Sequence, residues 1–139
     1  MTRRTVVVAI GLGVMGALLW LRDPVWLGDY TEGVTMVDED GAGRQFRWTR
    51  GRASFYVDAA ATAVELDLAG PEAFRVQTSV FVDGRLAGRV LLDRAWQRVS
   101  IATGAVPTTR RHRRIDLQVA RTWGDQLGVR IGWPVRQVR

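Results

Sequence analysis

Residues able to do acid–base or nucleophilic chemistry are few in this chain, and its one histidine, His112, stands inside a run of arginines, RRHRR at 110–114. A Ser-His-Asp arrangement would have to use that histidine. No motif surrounds Ser54, Ser79 or Ser100. Carboxylates of the kind that cleave glycosides are offered by Glu65, Asp67 and Asp116, but all three fall on the polar phase of strand-like segments. The loop VDEDGAG at 37–43 carries Asp38, Asp40 and Gly41 in part of a calcium-loop spacing. Its helix-loop-helix context is missing and Thr49 stands where the closing glutamate belongs, which favours a plain turn. With no cysteine in the chain, disulfide frameworks, zinc sites and thiol chemistry are excluded. The expectation is a protein that is not an enzyme and holds no metal and no cofactor.

Binding chemistry has more to work with. The stretch GRQFRWTRGRASFYV at 43–57 interleaves arginine with aromatic residues, and Arg110, Arg111, Arg113 and Arg114 form a basic cluster suited to an anionic lipid, a cell-surface polymer or a partner subunit. All twenty basic residues are arginine, which reads as the codon bias of a GC-rich genome, and a net charge of +6 is modest for a chain with a pI near 11.3.

The elements that would position these residues begin with MTRRTVVVAIGLGVMGALLWLRD. A basic tip, Arg3 and Arg4, precedes an uncharged run from Thr5 to Leu21 closed by Arg22 and Asp23. Bulky residues follow the run where a cleaved signal peptide needs small ones, so a signal-anchor is favoured over a cleaved segment. Trp20 and Trp26 bracket the exit and the arginines hold the N-terminus inside. The expectation is residues 1–23 as a single-pass transmembrane anchor in the cell membrane and residues 24–139 as one extracytoplasmic domain. On that location nucleic acid is excluded as a partner.

Residues 44–133 alternate with period two. Phe46 and Trp48 oppose Arg47 and Thr49; Val64, Leu66 and Leu68 oppose Glu65 and Asp67; Ile115, Leu117 and Val119 oppose Asp116 and Gln118. Turn signals at 38–43, 69–73, 82–84, 102–109 and 122–126 separate the runs, which predicts an all-β, antiparallel, jelly-roll-like β-sandwich. Gly51 is expected to be a turn or bulge between two strands, and Trp48 to be core. At Asp83-Gly84, a two-residue loop would mismatch the apolar faces. A three-residue loop pairing Phe81 with Arg85 would instead put Val76, Val80, Leu86, Val90 and Leu92 on one face.

The segments FRWTRGRASFYVDAAATAVELDLAGP, VFVDGRLAGRVLLDRAWQRVSI and RIDLQVARTWGDQLGVRIGW resemble bacterial jelly-roll domains related to carbohydrate-binding modules, found as accessory regions of membrane glycosyltransferases. The resemblance covers roughly residues 28–134. It implies a non-catalytic accessory module of surface glycan assembly or recognition, with a glycan or a membrane glycosyltransferase as partner. The alternative is a structural protein–protein interaction domain of an envelope complex. A sugar site needs an exposed aromatic face flanked by planar hydrogen-bonding groups, for which Trp96, Trp123 and Tyr56 with Arg47, Arg121 and Asp125 are the candidates. Trp123 and Asp125 are expected at one end or edge of the sandwich; in the competing reading Trp123 closes the core and Asp125 caps a turn.

Overall fold

The computed structural model describes residues 3–104, 110–124 and 126–139. The apolar N-terminal run folds as helix α1 (Arg3–Arg22). It corrects the anchor expectation: among the described residues no helix is long and apolar enough to cross a membrane, so placement in the cell membrane with the domain outside is not supported. The physical reason is length and dilution. At about 1.5 Å per residue the uncharged run reaches about 26 Å against a hydrocarbon core of about 30 Å, and Gly11, Gly13 and Gly16 interrupt its apolar surface. The argument from location against nucleic acid falls with it.

After a 3-10 turn at Val25–Asp29, the described residues form ten strands, all paired antiparallel. They are β1 (Thr31–Val34), β2 (Asp38–Glu39), β3 (Gln45–Asp58), β4 (Ala63–Ala69), β5 (Val76–Val82), β6 (Arg85–Leu92), β7 (Gln97–Ala102), β8 (His112–Val119), β9 (Arg130–Gly132) and β10 (Arg136–Val138). Two layers result. The first joins β6, β5, β8, the C-terminal half of β3 and β1; the second joins β7, β4, β10, β9, the N-terminal half of β3 and β2. Between them lies one core that includes Phe55, Val57, Leu66, Leu68, Val80, Leu92, Ile115, Leu117 and Ile131. The period-two runs of β4 and β8 bury Val64, Leu66, Leu68, Ile115, Leu117 and Val119 as their alternation predicts.

β3 is the hinge of the architecture, and it departs from expectation. There is no turn at Gly51, but the bulge alternative holds against β1, where Glu32 pairs with Ser54 and Val34 with Thr49, so that β3 carries extra residues around Gly51. One continuous strand pairs Arg47 and Trp48 with β9 and then Arg52–Asp58 with β8, and so passes from one layer to the other. Alternation is kept across the bend: Thr49, Ala53, Phe55 and Val57 are buried on the core phase, while Phe46, Trp48, Arg50, Arg52, Ser54 and Tyr56 occupy the outer phase. Glycine at position 33 of β1 lets the crossing close up. Its φ is +68°, and a Cβ there would sit 2.0 Å from the Arg52 carbonyl oxygen.

The β5–β6 hairpin also differs from expectation. Asp83 and Gly84, at φ +48° and +80°, make a two-residue turn with Val82 opposite Arg85. The mismatch of faces is removed by a bulge: Phe81 pairs with Leu86 but Val80 pairs with Gly88. Val76, Val80, Val90 and Leu92 therefore do turn to the core, whereas Leu86, before the bulge, is left 48% exposed. Asp83 tolerates its left-handed backbone because it is tied to β8, accepting from the Arg113 Nε at 2.8 Å and the Arg114 amide at 2.9 Å.

Candidate functional site

In its N-terminal half the outer phase of β3 carries two aromatic rings, buried Phe46 and half-buried Trp48, that lie outside the cluster packed between the layers. Trp123, Trp48, Phe46 and Trp96 form a ladder of edge-on contacts, with centroids 5.8 Å apart for Trp123–Trp48, 6.2 Å for Trp48–Phe46 and 6.1 Å for Phe46–Trp96. Arg130 lies beside Trp48 in the β3–β9 register, and its guanidinium sits 5.1–5.8 Å from the rings of Trp96, Trp48 and Phe46. It donates to the Arg94 carbonyl at 2.9 Å and more weakly to Gly70 at 3.5 Å. Its Nε is buried with no hydrogen-bond partner among the described residues.

Trp48, Trp123 and Arg130 together with Gly70, Glu72 and Ala73 line a cleft of about 540 Å³. Trp123 is held at its rim because the 123–127 loop is closed by two mutual hydrogen bonds, Trp123 amide to Leu127 carbonyl at 2.8 Å and the reverse at 2.9 Å. Gly124 supplies the left-handed turn, and the indole stays 39% exposed. The arrangement can offer two ring faces, a carboxylate acceptor and a guanidinium donor to a ligand with one apolar and one hydroxylated side.

Of the sequence-derived candidates, Trp96 and Trp123 belong to this ladder, Trp123 in the cleft and Trp96 beyond Phe46. The others stand elsewhere. Tyr56 faces Tyr30 at 6.3 Å, in a second cleft with Asp58, Arg111 and His112. Arg47 is on the inner phase of β3, stacked 4.5 Å from Trp133 and donating to Thr31 Oγ1 at 3.0 Å. Arg121 covers the Phe74 ring at 4.3 Å. Asp125 lies outside the described residues. Trp48, Arg130 and Glu72 were not among the candidates, though Trp48 and Arg130 carry most of the geometry.

The basic cluster does not act as one surface. Arg113 is buried at the end of the core, paired with Asp83 and donating to the carbonyls of Thr103 and Gly104. Arg114 points to the opposite face of β8, where its Nε donates to buried Asp116 at 2.9 Å and its Nη2 to Ser54 Oγ at 3.0 Å. Arg110 and Arg111 are exposed.

The possible dyads serve structure. His112 Nδ1 lies 3.1 Å from Asp23 Oδ1, and Asp23 also accepts from the backbone amides of Arg111 and His112. Burial alone would raise the Asp23 carboxyl; the hydrogen bonds from His112 and from those amides outweigh it and hold the group below the usual carboxylate range. Asp116 accepts from Ser54 at 2.5 Å and is closed in by Arg114. The acidic loop forms a turn in which Asp40 Oδ1 accepts from the amides of Ala42 and Arg44. Among the described residues no group of three or more histidine or acidic side chains could hold a metal ion.

Comparison of the sequence with protein-family models and with curated proteins gives no match. Solved structures of similar shape include carbohydrate-binding modules. The CBM51-2 and INT domains of Clostridium perfringens ZmpB, solved with GlcNAc, share 12% identity over 73% of this chain and 25% of theirs, with a TM-score of 0.47. The CBM36-1 domain of a xylanase from the hindgut metagenome of Trinervitermes trinervoides shares 12% over 73% of this chain and 88% of its own, at 0.42. A family two carbohydrate esterase from Clostridium thermocellum, in complex with cellohexaose, shares 10% over 79% of this chain at 0.49; the chain spans about a third of that enzyme's length. These likenesses are of shape, and no site residue is carried over from them.

Proposed function

We propose that this domain binds carbohydrate, without transforming it, in the outer-face cleft between Trp48 and Trp123. The observation that carries the reading is the placement of an aromatic ladder outside the cluster packed between the layers, against a cleft whose volume falls in the range of small-ligand sites. The C–H side of a pyranose would lie on the Trp123 and Trp48 rings, with its hydroxyls taken by Glu72 as acceptor and Arg130 as donor. A role as an accessory of glycan assembly, beside a glycosyltransferase partner, follows from the sequence resemblance and belongs to the same proposal.

The test is binding of the full chain to a glycan panel, for wild type and Trp123→Ala. Loss of binding by tenfold or more, with a melting temperature within a few degrees of wild type, is expected. A wild-type chain that binds no glycan would leave the protein–protein reading in its place. That reading has one observation of its own: Leu86 and Leu91 are exposed on the edge strand β6.

A further inference from the structure

The outer phase of β3 does not end at the aromatic cleft. Two residues beyond Trp48, at most about 7 Å along the strand, Arg50 begins a second cleft of about 530 Å³ lined by Arg50, Arg52, Arg114, Ser54, Glu32 and Gly33. Its three guanidinium groups are in different states. Arg50 and Arg52 are exposed, and their side chains make no hydrogen bond or ion pair among the described residues. Arg114 is fixed: buried Asp116 and Ser54 hold its Nε and Nη2 edge, which leaves the Nη1 edge for another acceptor. Asp116 is consumed in that task, so Glu32 is the one exposed carboxylate in the lining. The wall is also fixed, because Gly33 packs directly on the Arg52 carbonyl.

We propose that this cleft is an anion subsite, and that the ligand is an acidic glycan whose carboxylate, sulfate or phosphate sits among Arg50, Arg52 and Arg114 while a neighbouring sugar lies on Trp48 and Trp123. The proposal rests on the reading of the aromatic cleft as a sugar platform. One oriented guanidinium and two adaptable ones match a planar or tetrahedral oxyanion better than any neutral hydroxyl array. Arg50 and Arg52 lie two and four residues beyond Trp48 on the same phase of β3, and Arg114 reaches the same cleft from β8. The run of alternating arginine and aromatic residues in β3 thereby has a use on its outer side.

The experiment uses the full chain with dextran, carboxymethyl-dextran, dextran sulfate and a phosphorylated dextran, and with a single-stranded oligonucleotide, at low and high salt. Wild type is expected to bind at least one acidic derivative roughly three- to thirtyfold more tightly than the neutral parent, the preference shrinking with salt. Arg50→Gln/Arg52→Gln should abolish the preference and keep neutral binding, whereas Trp48→Ala or Trp123→Ala should weaken both. The acidic derivative preferred names the anion. Equal affinity for neutral and acidic forms, or a preference that survives the double glutamine variant, overturns the subsite and leaves the sugar platform standing. Acidic binding indifferent to both tryptophans overturns the sugar platform, and the acidic-glycan assignment with it. Tighter binding to the oligonucleotide than to every glycan overturns the assignment in favour of nucleic acid. Both outer-phase arginines are exposed, so the double variant should melt within a few degrees of wild type.

Discussion

Replacing Arg130 with methionine should lower stability by about 2 kcal/mol. The charged hydrogen bond to the Arg94 carbonyl contributes about 1.5–3 kcal/mol, and stacking against Trp96, Trp48 and Phe46 adds about 0.5–1 kcal/mol at a half-exposed site. Against this, methionine removes the buried, unpartnered Nε, which offsets about 1 kcal/mol. For a domain of this size about 4 °C accompanies each kcal/mol, so thermal denaturation of the full chain should show a fall of about 8 °C. Lysine at the same position keeps the charge and a donor for the Arg94 carbonyl but not the planar face, and should recover only part of the loss. A methionine variant melting within about 2 °C of wild type, or full recovery by lysine, would refute the account of Arg130 as the group that holds the ladder.

Asp23 should make the chain acid-sensitive. Its carboxyl is held below the usual range, so its contribution is fully present above the unfolded value of about 3.9 and is lost as pH falls through the lower folded value. Urea titrations between pH 2 and 6 should show a shallower pH dependence for Asp23→Asn than for wild type. Gly33→Ala demands a left-handed alanine and drives a Cβ into the Arg52 carbonyl; a loss of more than about 2 kcal/mol is expected in chemical denaturation.

How much of this was legible in the sequence turns on β3. Period two correctly groups Phe46 with Trp48 against Arg47 with Thr49, and Trp48 is expected on that ground to be core. The phase is set further along: Ala53, Phe55 and Val57 are the inward residues, and counting back from them puts Thr49 and Arg47 inside and the aromatics outside. That count fails only if a turn intervenes, and the glycine at 51 suggested one. The strand bends there and keeps its phase. Arg130 was invisible for a different reason, since its role arises from register with Trp48 across strands far apart in sequence. Asp116 shows the same limit. Its polar phase was read correctly, and Arg114, two residues away on the same face of β8, is a local partner, but Ser54 reaches it from a strand far away in sequence and the burial of the group could not be inferred. The apolar faces of β4 and β8, with simple alternation and a single layer to pack against, were readable.

The most direct test of the central claim is a glycan titration of isotope-labelled chain followed through the six tryptophan indole N–H resonances. Binding in the outer-face cleft predicts that the Trp48 and Trp123 signals move together and saturate, with Trp96 moving less and Trp133, in contact with the core, still. Saturable binding that leaves Trp48 and Trp123 unmoved would contradict it.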